Sequence, residues 1–202
     1  LREAIDSILN QTVKTNEFII VKDGPLTEKL DNTIKEYVEE YPGVFKIVTL
    51  KKNMGLAKAL NKGIVQCSNE IIARMDSDDI SMPDRMERQL EAMEANRADI
   101  LSGTIVEFDE SVDKPTAKRE LPEKNEQIIE FAKKRSPFNH PAVMYKKSAV
   151  LKSGLYEDYT YFEDYNLWAT MLNDGCKGYK VKEPVLYMRA GEAKYKRPGG
   201  LK

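Results

Sequence analysis

The chain has 202 residues, 41% of them hydrophobic and 32% charged, which suits an ordinary globular protein with one sizeable core or at most two small ones. Its formal net charge of −1 excludes a whole-molecule field that would draw it onto nucleic acid. An anionic ligand therefore has to be met by a local cluster of Lys and Arg.

In chain order, "LREAIDSIL" sets Leu1, Ile5, Ile8 and Leu9 at helical spacing and predicts a helix with one apolar stripe. "EFIIV" at 17–21 is an unbroken apolar run, as expected of a strand covered on both faces, and "KDGPL" ends it with Asp23, Gly24 and Pro25. From Thr27 to Glu40 the residues Leu30, Ile34, Tyr37 and Val38 return to helical period, and "VFKIVTL" at 44–50 reads as a second strand. A third helix is predicted over 55–67, with Leu56, Leu60 and Ile64 inward, followed by the strand "EIIARM". "SMPDRMERQLEAM" starts another helix, with Ser81 and Asp84 spaced like a capping box and Pro83 in the first turn.

"DILSGTIVEF" is then a strand, the polar stretch 109–124 a long loop, and 125–135 a helix. "AVMY" is a short strand, "YFEDYNLWATML" an amphipathic helix carrying Trp168, and two short strands near 178–189 precede a basic tail. The alternation of helix and strand predicts an α/β fold with a mostly parallel sheet and helices on both faces. Neither a repeat nor a low-complexity linker divides the chain, so one domain over 1–202 is expected.

Cys67 and Cys176 are the only cysteines and lie far apart, without zinc-site spacing or the density of a disulfide scaffold, which suits a reducing, cytoplasmic setting. No apolar run approaches the roughly 20 residues of a spanning helix. The opening segment is amphipathic rather than signal-like, and the chain begins without Met, so an upstream segment is expected.

The stretch "EIIARMDSDDISMPDR" at 70–85 crowds Asp76, Asp78 and Asp79 at the end of a strand. Two carboxylates about 4 Å apart repel by roughly 4 kcal/mol at an effective dielectric of about 20. In open α/β sheets ligands bind beyond the carboxyl ends of strands, where both Asp23 and these acids fall. A solvated loop favouring the next helix N-terminus is one reading. An EF-hand is a second, with Asp76, Asp78 and Glu87 at loop positions 1, 3 and 12, but Ile80 and Ser81 stand where a ligand and the turn glycine belong. The third is Mg²⁺ or Mn²⁺ held by one or two carboxylates, completed by water and substrate phosphates, and acting as a Lewis acid on a diphosphate leaving group.

The ordered segments "EAIDSILNQT", "EFIIVKDG", "NMGLAKALNKGI", "IIARMDSDDISMPDR", "NHPAVMYKKSAV" and "FEDYNLW" resemble family 2 glycosyltransferases of the A-type fold over nearly the whole chain. The resemblance implies a nucleotide-sugar donor, commonly a UDP-sugar, with residues 1–108 as the donor half and 109–202 as the acceptor half. Asp23 then contacts the base, Asp76 lies near the donor ribose or sugar, Asp78 binds the metal and Asp164 is the catalytic base of an inverting transfer. The family often has two acids at the first site, where this chain has Lys22 and Asp23. It also usually begins with a strand and a nucleotide-contacting loop ahead of the first helix found here.

Asn53 and Gly55 open the third helix, by turn and capping chemistry or beside the nucleotide. Arg74 interrupts an apolar strand and needs a partner, which could be the donor or a structural ion pair. His140, the only histidine, is structural or an acceptor or diphosphate contact; Glu163 is a candidate acceptor contact. Arg189 and the tail "KYKRPGG" are either a phosphate-binding cluster or a solvated end. The acceptor expected from the resemblance is a glycan, a polysaccharide or a lipid-linked sugar, reached at the inner face of a membrane by peripheral association. A nucleotidyltransferase and a non-catalytic sugar-nucleotide-binding domain are the alternatives.

Overall fold

The computed structural model describes residues 1–190. Helix α1 (Arg2–Leu9) buries Ala4, Ile5 and Ile8. Strand β1 (Phe18–Lys22) pairs in parallel with β2 (Phe45–Thr49), with Phe18 opposite Phe45 and the two rings stacked at 4.9 Å. Helix α2 (Glu28–Glu40) makes the crossover between them, and Thr27 caps it by accepting from the Leu30 N–H. Helix α3 (Leu56–Gln66) follows β2 and buries Ala57, Ala59, Gly63 and Ile64, although Leu56, expected inward, is 46% exposed. The Glu17 carboxylate accepts from the Ser68 backbone and hydroxyl, joining the start of β1 to the loop before β3 (Ile71–Ala73).

The second sheet is built around β5 (Ile100–Phe108), whose ladder with β8 (Gly178–Arg189) is parallel. Strands β4 (Ile80–Ser81), β6 (Pro115–Arg119) and β7 (Met144–Lys146) add antiparallel pairs, as does β3 against β7. The α/β reading holds, but the sheet is mixed: two described ladders are parallel and four antiparallel. A parallel return needs a crossover of a dozen residues or more. Beyond β5 the chain supplies only the stretch 109–114 before β6, which suffices for an antiparallel return alone. The polar stretch read as a loop thus contains an edge strand, fully exposed in its burial pattern. Residues 178–189 form one strand rather than two, with register shifts near Gly103 and Thr104 absorbing its bend.

Two ladders share one edge of β5: β7 pairs at Ile100 and Leu101, and β6 from Ile105 onward. The interval is closed by Asn139, whose N–H donates to Ser102 Oγ at 3.4 Å and whose Nδ2 donates to Gly103 O at 3.0 Å. On the other edge, a Cβ added to Gly103 would lie 2.3 Å from Val185 Cγ2.

Helix α4 (Arg85–Asn96) begins without the expected capping box. Ser81 is occupied in β4, where its hydroxyl accepts from Gln11 Nε2, and the Asp84 carboxylate pairs with Arg88. Helices α5 (Asn125–Ala132), α6 (Lys147–Lys152) and α7 (Glu163–Asn173) complete the described chain, with a 3-10 turn at His140–Ala142. Trp168 of α7 is wholly buried at the centre of the largest core cluster. No helix among the described residues is long and apolar enough to cross a membrane.

Candidate active site

The acidic turn is held from beneath and from both ends. Arg85, wholly buried, donates from Nη2 to Arg74 O at 2.7 Å and to Val143 O at 3.4 Å, and from Nε to Gln89 Oε1 at 2.9 Å. Gln89, one helical turn on, donates to Ala142 O at 2.7 Å. Neighbours on one face of α4 therefore tie the end of β3 to the His140 turn. Burial, and then the charge of Arg74, push the Arg85 guanidinium down to about 9, with Asp79 opposing.

At the far end, Asp79 is buried and accepts from the Arg189 N–H at 2.9 Å, while Ile80 and Ser81 pair with β8. Gln11 fixes α1 against the same segment, donating to Met82 O at 2.7 Å and accepting from the Met86 N–H at 3.0 Å. Asp76, Ser77 and Asp78 project between these anchors. Asp78 is exposed and its carboxylate has no protein partner among the described residues. Asp76 pairs with Arg74 Nη2 at 2.5 Å. Arg74 is only 7% exposed, yet its Nε and Nη1 have no hydrogen-bond partner among the described residues. Unmet buried donors of a charged group are costly, a cost that a bound anion would offset.

Just beyond β1, Asp23 Oδ1 accepts from the Met54 N–H at 2.6 Å and Oδ2 from the Gly55 N–H at 3.1 Å. Gly55 has φ +89 and precedes α3, and Asn53 Oδ1 accepts from the same Gly55 N–H. Asp23 thus pins the turn before α3 to the end of β1, a task the base-contact expectation had not included. Gly24, at φ +98, lies so close to this turn that a Cβ would fall 2.8 Å from Asn53 N. A cavity of about 500 Å³ beside the turn is lined by Leu50, Lys51, Lys52, Met54, Lys58 and Lys62, a local concentration of positive charge.

Asp164 lies in the first turn of α7 and accepts from the Tyr165 N–H at 2.7 Å. Burial raises its pKa above the usual carboxylate value; the Glu163 charge adds to this, while the Tyr165 bond and Arg74 oppose it. His140 Nε2 lies 3.1 Å from Tyr156 Oη, and both rings pack against Trp168, at 5.8 and 5.7 Å. Burial and then Arg74 hold the His140 imidazole well below its ordinary range, so it is neutral near pH 7. Asn61 of α3 makes a two-point contact with the Tyr156 backbone, donating to its O at 2.7 Å and accepting from its N–H at 2.9 Å. Lys58 meets Asp158 at 2.8 Å.

Arg74 exerts its charge on His140, Tyr145, Tyr156 and Asp164 alike, so these residues and the acidic turn share the influence of one guanidinium. Arg189 is engaged within the protein. Its guanidinium donates to Asp78 O at 3.3 Å, Asp109 O at 3.2 Å and Glu3 Oε2 at 3.1 Å, and lies 4.5 Å from the Phe108 ring centre. The basic tail lies outside the described residues. Sequence reasoning passed over Arg85, Gln89, Gln11 and Asn61; two polar side chains four residues apart on the buried side of a helix, Arg85 and Gln89, were the one available signal.

No group of three or more His, Cys, Asp or Glu side chains among the described residues would hold a metal alone. The unpartnered Asp78 carboxylate, with Asp76 two residues before it, nevertheless fits a hard divalent cation that takes one or two carboxylates and completes its shell with phosphate and water oxygens.

Residues 1–160 match the family described as Glycosyl transferase family 2. The amylovoran biosynthesis glycosyltransferase AmsE of Erwinia amylovora is 39% identical over 192 residues, covering 95% of this chain and 71% of that protein. An Escherichia coli protein, UDP-Gal:alpha-D-GlcNAc-diphosphoundecaprenol beta-1,3-galactosyltransferase, is 39% identical over 203 residues, covering 100% of this chain and 73% of its own length. Among solved structures, S. aureus TarS 1-349 in complex with UDP-GlcNAc superposes with a TM-score of 0.73 at 16% identity, covering 98% of this chain and 57% of that one. Mannosyltransferase PcManGT from Pyrobaculum calidifontis, in complex with GDP-Man and Mn2+, gives 0.71 at 14%, covering 96% and 54%. The chain spans little more than half of these two solved proteins, and at such identity the likeness shows the fold alone.

Proposed function

The chain belongs to glycosyl transferase family 2, and we propose that it moves a sugar from a UDP-sugar to a hydroxyl of a lipid-linked sugar, with inversion at the anomeric carbon, in building a cell-surface glycan. The observation that carries this reading is Arg74, which pairs with the projecting acidic turn, has two buried donors unmet among the described residues and acts by its charge on the Asp164 carboxylate of raised pKa. The choice of UDP and of a diphosphate-linked acceptor is supported by the E. coli relative and by the nucleotide sugar bound in TarS.

The Asp164 carboxylate accepts the proton of the acceptor hydroxyl as its oxygen attacks the sugar from the face opposite the nucleotide. Raising a carboxylate pKa towards the working pH makes it a better general base, a contribution typically worth about 10²–10⁴-fold. Arg74 Nε and Nη1 donate to the diphosphate as negative charge grows on it, a pre-oriented form of electrostatic stabilisation. Asp23, already aligned by two backbone N–H groups, keeps lone pairs for the base, with Asn53 and Gly55 beside it. Asp76 holds Arg74 and faces the donor sugar; Glu163 and neutral His140 line the acceptor side. A divalent cation, Mn²⁺ or Mg²⁺, would be held by Asp78 with Asp76 adjacent, and when bound it supplies Lewis-acid neutralisation of the diphosphate. In this reading residues 1–202 work as one catalytic domain at the inner face of a membrane, and the donor half 1–108 and acceptor half 109–202 share the sheet through β4, β5 and β8.

The test is turnover with a panel of labelled nucleotide sugars and a short-chain polyprenyl diphosphate sugar, alongside calorimetric titration of UDP. Transfer from a UDP-sugar, and UDP affinity that falls on chelation, are expected. Pyrophosphate release from a nucleoside triphosphate would point instead to a nucleotidyltransferase, and an Asp164→Asn variant with wild-type transfer would remove the base assignment.

A further inference from the structure

The most exposed large hydrophobic side chains among the described residues are Phe162 at 62%, Tyr161 at 59% and Tyr159 at 52%, all within four consecutive positions. The others, such as Val13 and Ile129, lie between 39% and 46% and are scattered along the chain. Single exposed apolar groups are normal on a protein surface, whereas clustered ones mark binding surfaces.

The backbone of this stretch is unusual as well. The Phe162 N–H donates to Tyr159 O at 2.8 Å, closing a four-residue turn, and Tyr161 occupies its third position at φ +70. Glycine is the ordinary choice there. A bulky residue in that region is an outlier that persists where surrounding structure enforces it, and such outliers gather at ligand clamps. The flanks of this turn are fixed. Tyr156 is 3% exposed and latched to Asn61, Asp158 is paired with Lys58, and Phe162 leads directly into α7, whose second residue is Asp164.

We propose that Tyr159, Tyr161 and Phe162 form a platform on which the acceptor's sugar ring stacks by its C–H face, presenting its hydroxyl to Asp164. The inference rests on the acceptor reading above and adds the group that recognises the acceptor. An aromatic face is electronegative, and the C–H groups of a pyranose are polarised positively by their oxygens. A gluco-configured ring, with equatorial substituents and axial C–H bonds on each face, fits such a surface best. Stacking fixes the ring without using its hydroxyls, leaving one free to be oriented for attack.

Saturation-transfer NMR with methyl β-D-glucopyranoside and methyl N-acetyl-β-D-glucosaminide, in the presence of UDP and Mg²⁺, tests this directly. In the wild type the transfer should concentrate on the axial ring protons of one face. Tyr161→Gly relieves the backbone, so the melting temperature should hold, while glycoside affinity falls about 2- to 10-fold, as expected for one lost aromatic contact. Tyr161→Phe should retain binding, and Phe162→Ala gives the same comparison should the glycine variant fail to fold. Transfer that is absent or spread evenly in the wild type, or unchanged in both Tyr161→Gly and Phe162→Ala, overturns the platform. So does loss of sedimentation with phosphatidylglycerol vesicles in a variant whose glycoside binding is intact, which would make the turn a membrane contact. UDP titration on the same samples separates the two ideas: bound UDP without a glycoside signal sinks the platform alone, while absence of UDP binding sinks the transferase reading.

Discussion

Asn61→Leu asks whether the loop before α7 is held in position or merely passes by. Asn61 makes both bonds to the Tyr156 backbone, at 2.7 and 2.9 Å, and Tyr156 is 3% exposed. Leucine fills similar space but leaves a buried N–H and a buried C=O without partners. Each lost bond is worth about 1 kcal/mol, and an unmet buried group costs about 1–3 kcal/mol, so allowing for partial rehydration the loss is about 2–4 kcal/mol. For a domain of this size that corresponds to a fall in melting temperature of about 5–15 °C. Asn61→Asp keeps the acceptor for the Tyr156 N–H while opposing the Tyr156 carbonyl, and should fall between leucine and wild type. Because Asp164 follows the same loop, and a displacement of about 1 Å can cost about 100-fold in rate, transfer per folded molecule should also drop. Thermal melts and transfer rates on the two variants decide the matter. An Asn61→Leu protein with wild-type melting refutes the latch, and one that is destabilised but transfers normally refutes its link to the base.

Gly103→Ala drives a methyl group into Val185 and should cost about 1–3 kcal/mol by overpacking, read by urea denaturation; Val185→Ala in the same chain should restore most of it. Arg189→Leu removes three bonds around the acidic turn and should weaken Mg²⁺-dependent UDP binding in calorimetry, whereas unchanged affinity would mean that Asp79 and the β4–β8 pairing suffice. Because the folded state raises the Asp164 pKa above the usual 3.8, it binds the proton more tightly than the unfolded chain does. Wild-type stability should therefore fall relative to Asp164→Asn as pH climbs from below 3.8 through the raised value, while transfer rises over the same interval. Denaturation of both proteins across that range checks the sign, and a stability difference independent of pH would refute it.

The helices and parallel strands of the first half could be read because each is a short periodic run bounded by its own turn chemistry, as at "EFIIVKDG". The second half was harder because its pairings depend on distant partners. β4 has only two residues and exists through Tyr187 and Leu186, and β6 is a polar edge strand that only its alignment with β5 reveals. Asp23, Asp76, Asp78 and Asp164 were visible as acids at the ends of elements. Their fastenings were not: Arg85 looked like one more charge in "DRMERQ", and the second role of Asp23, as a clamp on the turn before α3, needs a contact across 31 positions. The intramolecular contacts of Arg189 were hidden for the same reason, since its partners Glu3 and Asp109 lie far away in the chain.

Asn139 fills the interval between two ladders on one edge of β5, so the residue next to His140 is hydrogen-bonded as though it were part of the sheet. Amides of regular strands in a core exchange with solvent mainly when the whole domain opens, while loops exchange through local fluctuations. The Asn139 N–H, formally in a loop, should thus share the slow exchange of Leu101 and Met144 rather than that of an ordinary connector. His140 is then fixed in place beside Tyr156 and Trp168. The aromatic turn that follows, anchored at its base through Asn61 and Lys58, is thereby set against an immobile neighbour.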